Sequence, residues 1–479
     1  MADMETVTPM MPSSGGTSEG LKRPQYLAAL AATLGAMAAG TVLAWTSPTL
    51  PELQAPNSSL PLSVEEGSWV GSLVAVGALA GAFPAGYCAE TFGRKLTITA
   101  LSAPFLLSWI LIITAQNVAM LYIARLVAGI ATGAISVTAP MYIGEIAEAS
   151  VRGALGSFFQ LMLTVGILYV YVFGAIASYV WLGIVCAAVP VALLVIFVWM
   201  PETPTFLLKK NRKADAERSL RFLRGANYNI QDELHILQLE VEEAAKNNAS
   251  IKDLVSSRAT RKALTVCLGL MVFQQLSGIN AVIFYTVDIF EAAGSTLAPS
   301  VATIIVGVIQ VVITYVASLL MDRAGRKILL LLSSGVETLC LGLLGLYFCL
   351  KDSGTDVSNL GWLPLVSLAF FVVVFSLGFG PIPWMMMGEL FPASVKGAAS
   401  GLAVTLNWVL VFTVTKSFQN LLTALGLHFT YWLFAIICAI AAVFVFFVVP
   451  ETKGKSLQEI QDELNGPFIS RRKPANSPA

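Results

Sequence analysis

The chain carries the same set of motifs twice, in the same order. GYCAETFGRK (86–95) returns as SLLMDRAGRK (318–327), GEIAEASVRGA (144–154) as GELFPASVKGA (388–398), and PET (201–203) as PET (450–452). Collinear matches of this kind mark a duplicated unit, so the fold has to build two similar halves. Each copy is mostly apolar. The chain is 56% hydrophobic and 12% charged, where a soluble protein carries about 25% charge.

Apolar runs of about 20 residues cross a bilayer. Twelve such runs are legible, at about 26–47, 69–89, 96–116, 118–141, 155–176, 179–200, 263–289, 301–321, 328–350, 362–387, 397–419 and 428–449. The expected fold is an all-α membrane protein of twelve transmembrane helices in two six-helix halves. The expected divisions are an N-tail (1–25), a first bundle (26–200), a polar linker with helices (201–262), a second bundle (263–449) and a C-tail (450–479). A duplicated membrane chain of this form points to a transporter with its site between the halves.

Basic residues set the orientation. Of the 29 Lys and Arg, all but Arg125, Lys351 and Lys416 fall in the termini or the even-numbered connections. Those segments, and both termini, are expected to be cytoplasmic. The first loop holds Glu52, Glu65 and Glu66 and no base, and carries the glycosylation pattern Asn57-Ser-Ser on the expected outer face. Asn248-Ala-Ser lies on the inner side and is expected to stay unmodified. The six cysteines lie in or at the ends of apolar runs and read as small core residues, not a disulfide framework. Zero net charge implies no nucleic-acid partner. Neither a metal-ligand spacing nor a nucleophile–base pairing is present in the sequence, so neither an enzyme nor a cofactor is expected.

The repeated loops hold matching charges: Glu90, Arg94 and Lys95 against Asp322, Arg326 and Lys327, Glu145 and Arg152 against Glu389 and Lys396, and Glu202 against Glu451. Positive-inside topology accounts for the bases but not for the acids that recur beside them. The expectation is an ion-pair lattice that ties the two halves together at the inner face and breaks when the site opens inward. In the linker, a basic helix ending at Gly225 and an acidic helix with Leu234, Leu237 and Val241 are expected to pack on one another or on the inner loops.

A carrier of a neutral polyol needs uncharged groups that both donate and accept hydrogen bonds, and side-chain amides do both. It also needs an apolar plate for the C–H face of a sugar ring, which Trp supplies. The seventh run, MVFQQLSGINAVIFY, offers Gln274, Gln275 and Asn280. On a regular helix Gln275 and Asn280 would point about 140° apart, so local unwinding at Ser277-Gly278 is expected. Further candidates are Gln160, Gln310, Asn407-Trp408, and Trp384 after the helix-breaking GPIP. Glu337 stands inside the ninth run, where a carboxylate is functional by default; its alternatives are a seat for proton coupling and a protonated or paired structural group.

These residues resemble the sugar porters of the major facilitator superfamily over about residues 25–465. The marks include RLVAGIATG, PETPTFLL, QQLSGINAVIFY, DRAGRK, GPIPWMMMGELFP and PETKGKSLQEI. Within that family the chain is most similar to the facilitative trehalose and hexose carriers of insects and other animals. The resemblance implies alternating access, with sugar ligands at Gln160, Gln274, Gln275, Asn280, Gln310, Trp384, Asn407 and Trp408. It implies outer-gate aromatics at Phe284 and Tyr285, and inner salt bridges through the repeated charges. Proton-coupled members carry an Asp in the first span, whereas this chain has no acid between Gln25 and Leu50. The expectation is therefore uniport of trehalose or a hexose across the plasma membrane, by a protein for which a monomer suffices and whose partners are the sugar and the lipid bilayer. The alternatives are a proton-coupled symporter and a non-transporting sugar sensor.

Overall fold

The computed structural model describes residues 20–148, 150–226, 228–246, 257–294, 297–391, 393–455 and 457–466. The side chains of 243–246, 321–323, 393, 394, 396, 457 and 458 lie outside the described set. Among the described residues the regular structure is all helical. Eleven helical stretches are long and apolar enough to cross a membrane. The first six are Lys22–Gln54, Val64–Phe92, Arg94–Ile113, Val118–Ile146, Arg152–Gly174 and Tyr179–Phe197. The others are Arg258–Ala293, Pro299–Leu320, Arg326–Asp352, Ser358–Leu390 and Gly397–Val448. The last has 52 residues, which at about 1.5 Å per residue is more than twice the bilayer core. It reverses at Gly426, whose φ of +81° is open to glycine. The stretch is thus two spans, which makes twelve among the described residues.

Local sequence starts and stops these helices. Ser63 and Glu66 form a capping box at the second span, Asn117 caps the fourth, and Ser257 with Thr260 boxes the seventh. The repeated Gly-Arg-Lys ends the second and eighth spans at Gly93 (φ +106°) and Gly325 (φ +89°). In the first half, Gly77 and Gly81 of span two face Gly129 and Ile130 of span four. A Cβ at Gly77 would lie 2.1 Å from the Leu126 carbonyl, so the two backbones touch directly. Gly40 and Gly166 do the same for spans one and five. Gly397 and Gly401 share that four-residue spacing, but nothing among the described residues lies within 4 Å of either Cβ direction. They border open space instead of packing a helix.

Arg125 ties three spans together. Its buried guanidinium donates to the Val42 carbonyl at 2.7 Å and the Val70 carbonyl at 3.0 Å, and lies over the Trp45 ring. The linker forms helices Pro204–Lys209, Lys213–Arg224 and Ile230–Lys246 around a small core of Phe206, Leu207, Ala216, Leu220, Ile230 and Leu234. The basic and acidic helices meet through Arg224, which pairs with Glu233 at 2.6 Å and with Glu148 of the first bundle at 3.3 Å. Leu21 bonds to Arg224, and Lys262 to Gly466. Both described ends therefore share one face with the linker, called here the linker face; the other is the far face. The six cysteines are free.

Candidate functional site

The seventh span is two helices, Arg258–Leu276 and Ile279–Ala293, joined at Gly278 in the left-handed region (φ +88°). The tenth is also two, Leu363–Leu377 and Ile382–Leu390. Pro383 has no N–H to return to the Phe379 carbonyl four residues back. Gln274 supplies the missing donor: its Nε2 lies 2.7 Å from the Phe379 carbonyl and 2.9 Å from that of Gly380. Its Oε1 accepts from Gln275 Nε2 at 3.3 Å and Asn407 Nδ2 at 3.2 Å. Asn280 Nδ2 donates to Gln275 Oε1. The break at Gly278 thus brings together two amides that a regular helix would hold apart.

These four amides are buried, at 3–8% exposure. Each carries two donors and two acceptor lone pairs; Gln274 uses all four, and Gln275, Asn280 and Asn407 use only part of theirs. Trp408 is buried beside Asn407 and packs on Ala75 and Ala78 of the other half. The remaining candidates stand apart from the bonded cluster among the described contacts: Gln310 is buried, Gln160 half-buried and Trp384 37% exposed. Trp181, Trp199 and Trp362 are exposed, as lipid-facing belt residues would be.

Toward the far face the halves close on one another. Phe284 and Tyr285 are fully buried. The Phe284 carbonyl accepts from Thr46 Oγ1 of span one at 3.2 Å, and the Tyr285 hydroxyl donates to the Thr415 carbonyl of span eleven at 3.3 Å. Tyr171 of span five reaches the Ile283 carbonyl at 3.1 Å and Thr286 at 3.2 Å. Lys416 bonds Glu65 at 2.6 Å and Ser68 at 2.8 Å. Thr46, Tyr171, Thr286 and the Lys416–Glu65 pair escaped the sequence reading. Only Lys416 left a signal, as a lone base on the side that carries the acidic first loop.

The charged clasps at the linker face are built from the repeated loops. Arg94, 1% exposed, pairs with Glu90 at 2.6 Å and Glu145 at 2.9 Å. Arg326 pairs with Glu389 at 2.9 Å. Glu202 accepts the backbone N–H groups of Arg94 and Lys95, and Glu451 those of Arg326 and Lys327. Each PET carboxylate occupies the space a Cβ at Gly93 or Gly325 would fill, at 2.2 and 2.9 Å. The repeated glycine thus admits the repeated acid to a helix N-terminus, where backbone N–H groups and the dipole hold an anion.

Every one of these described pairs joins residues of the same half. These clasps close each half on itself. Gly144, Gly153, Gly156, Gly397 and Gly401 face empty space, and Arg152 is exposed, its described bond going to the Ala147 carbonyl. The Asp322 and Lys396 side chains lie outside the described residues. Burial pushes the Glu202 carboxyl above the usual range, against its bonds from Thr203, Lys95 and Arg94. Burial acts on Glu451 too, but bonds from Lys453, Arg326, Lys327 and Thr452 outweigh it and hold that carboxyl below the usual range.

The pattern of a family described as sugar (and other) transporter matches residues 30–464. The facilitated trehalose transporter Tret1 of Bombyx mori is 42% identical over 440 residues, covering 92% of this chain and 86% of that protein. The Tret1 of Anopheles gambiae is 42% identical over 445 residues, covering 92% of this chain and 56% of the relative. The chain thus spans little more than half the length of some of the curated relatives it matches. The inward-open xylose transporter XylE of E. coli superimposes with a TM-score of 0.76 at 26% identity, over 91% of this chain and 98% of that one. The proton:xylose symporter XylE bound to 6-bromo-6-deoxy-D-glucose gives 0.74 at 26%, over 92% and 99%.

Proposed function

The chain belongs to the sugar transporter family of the major facilitator superfamily, a multi-pass membrane carrier and not an enzyme, and from that premise we propose that it carries trehalose, or a hexose such as glucose, down its gradient by alternating access. The observation that carries this reading is the bonded amide cluster of Gln274, Gln275, Asn280 and Asn407 at the two broken helices. Uncharged groups that donate and accept match the hydroxyls of a neutral sugar, and Trp408 and Trp384 offer apolar faces for its C–H side. Gln160 and Gln310 complete the ligand set as the halves rock.

The linker face is the cytoplasmic one in this reading, so the conformation is open inward, with Phe284 and Tyr285 as the closed outer gate. The clasps built on Glu90, Arg94, Lys95, Glu145 and Glu202, and on Arg326, Lys327, Glu389 and Glu451, make each half move as a body. Asp322, Arg152 and Lys396 belong to the ends that meet when the inner side closes. Asn57 is exposed on the far face, where a glycan would be attached. A monomer suffices for this transport, which takes place at the plasma membrane. Counterflow of labelled trehalose against unlabelled trehalose, glucose and sorbitol in proteoliposomes tests the assignment: exchange with trehalose or glucose supports it, and equal exchange with all three or with none removes it.

A further inference from the structure

Glu337 lies in the ninth span at 1% exposure, and a carboxyl at membrane depth is kept only where something uses it. Its described contacts are the Ser333 hydroxyl, which donates to Oε1 at 2.6 Å, and the Cys438 thiol, 3.6 Å from Oε2. Ser333 Oγ in turn accepts the backbone N–H of Phe379 at 3.3 Å. The tenth span comes close enough for this because residue 378 is glycine: a Cβ there would lie 2.5 Å from Ser333 Cβ and 2.7 Å from the Leu329 carbonyl. Phe379 is therefore held from both sides, its N–H by Ser333 and its carbonyl by Gln274 at 2.7 Å.

A serine hydroxyl has one hydrogen. While that hydrogen is committed to Glu337, the oxygen lone pairs are turned to the Phe379 N–H. Without the carboxylate the hydroxyl would turn back to its own helix, to the Leu329 carbonyl four residues earlier, as mid-helix serines do. The N–H of Phe379 would then lose its acceptor, and the turn that presents the Phe379 carbonyl to Gln274 would loosen. We propose that Glu337 is a positioning residue for the sugar site, acting through Ser333 and the Gly378–Phe379 turn to fix the orientation of Gln274. This inference rests on the reading of Gln274 as a sugar ligand.

The test uses the full chain with Glu337→Leu, Ser333→Ala and Glu337→Gln, the last keeping an oxygen that accepts from Ser333. Hydrogen exchange of the peptide 376–384, read by mass spectrometry, should quicken by about tenfold in the first two and stay unchanged in the third. In proteoliposomes the sugar KM should rise about five- to tenfold in the first two with kcat within about twofold, and Glu337→Gln should restore it. Unchanged exchange in both Glu337→Leu and Ser333→Ala overturns the proposal, and so does a Glu337→Gln variant that behaves as Glu337→Leu. If the unsubstituted protein moves no sugar, the transport reading fails, while the exchange rates still decide whether Glu337 holds the turn.

Discussion

Lys416 Nζ lies 2.6 Å from Glu65 Oε1 and joins span eleven of the second half to the start of span two in the first. The same ammonium lies 4.8 Å from the Trp69 ring centroid. It is a described ion pair that crosses between the halves, and it sits on the closed face. Lys416→Ala should shift the conformational balance away from the far-face-closed state. A cysteine-reactive probe aimed at Gly71→Cys, beside the Tyr285 hydroxyl, should label faster in that background. Because Glu65 is exposed, the difference should shrink as salt is raised toward 1 M.

Gly278 admits the break between Gln275 and Asn280. A β-carbon there would face a positive φ and lie 3.0 Å from Phe434, costing about 1–2 kcal/mol from the backbone alone. Gly278→Ala should cut sugar flux at least tenfold, while the protein still inserts and elutes as a single species on size exclusion.

Arg94 is buried and holds Glu90, Glu145 and the Ala89 carbonyl together. Arg94→Ala leaves those acceptors short of donors and should lower stability by about 1–3 kcal/mol. Thermal unfolding in detergent reads the loss. Transport should fall without loss of membrane insertion, and wild-type rates would remove the clasp from the account. Arg326→Ala should behave alike in the second half.

The two PET acids should respond to pH with opposite sign. Glu451 is held below its unfolded value, so its ionised form stabilises the fold above about pH 4.5, and that contribution fades as pH falls through the folded value. Glu202 is raised, so its contribution is largest at low pH and declines as pH rises past the unfolded value. Glu451→Gln should therefore lower Tm more at pH 7 than at pH 4, and Glu202→Gln less at pH 7 than at pH 4.

Much of this molecule was legible in its sequence because duplication writes each contact twice. Gly93 with Glu202 and Gly325 with Glu451 are the same clasp in two copies, and the recurrence of both motifs announces it. The partners across the clasps were not legible. The spacing of Glu145 and Arg152 is the same whether the charges close within a half or between halves, and that choice belongs to the conformation. Gln274 was visible as an amide in an apolar run. Its anchor was not, since the orphan carbonyl of Phe379 arises from Pro383 in another span, more than 100 residues away. The four-residue spacing of Gly397 and Gly401 matches that of Gly77 and Gly81, and the sequence holds no sign that the first pair borders open space while the second packs against a helix. Asn248 and the tails beyond 20–466 lie outside the described residues.

Uptake of radiolabelled trehalose into liposomes at equal pH on both sides, compared between the unsubstituted chain and Gln275→Leu/Asn280→Leu, decides whether the amide cluster carries sugar. Saturable uptake that runs down the gradient, ignores a protonophore and is lost in the double variant is the expected result. Absence of flux for both trehalose and glucose, or undiminished flux in the double variant, would contradict it.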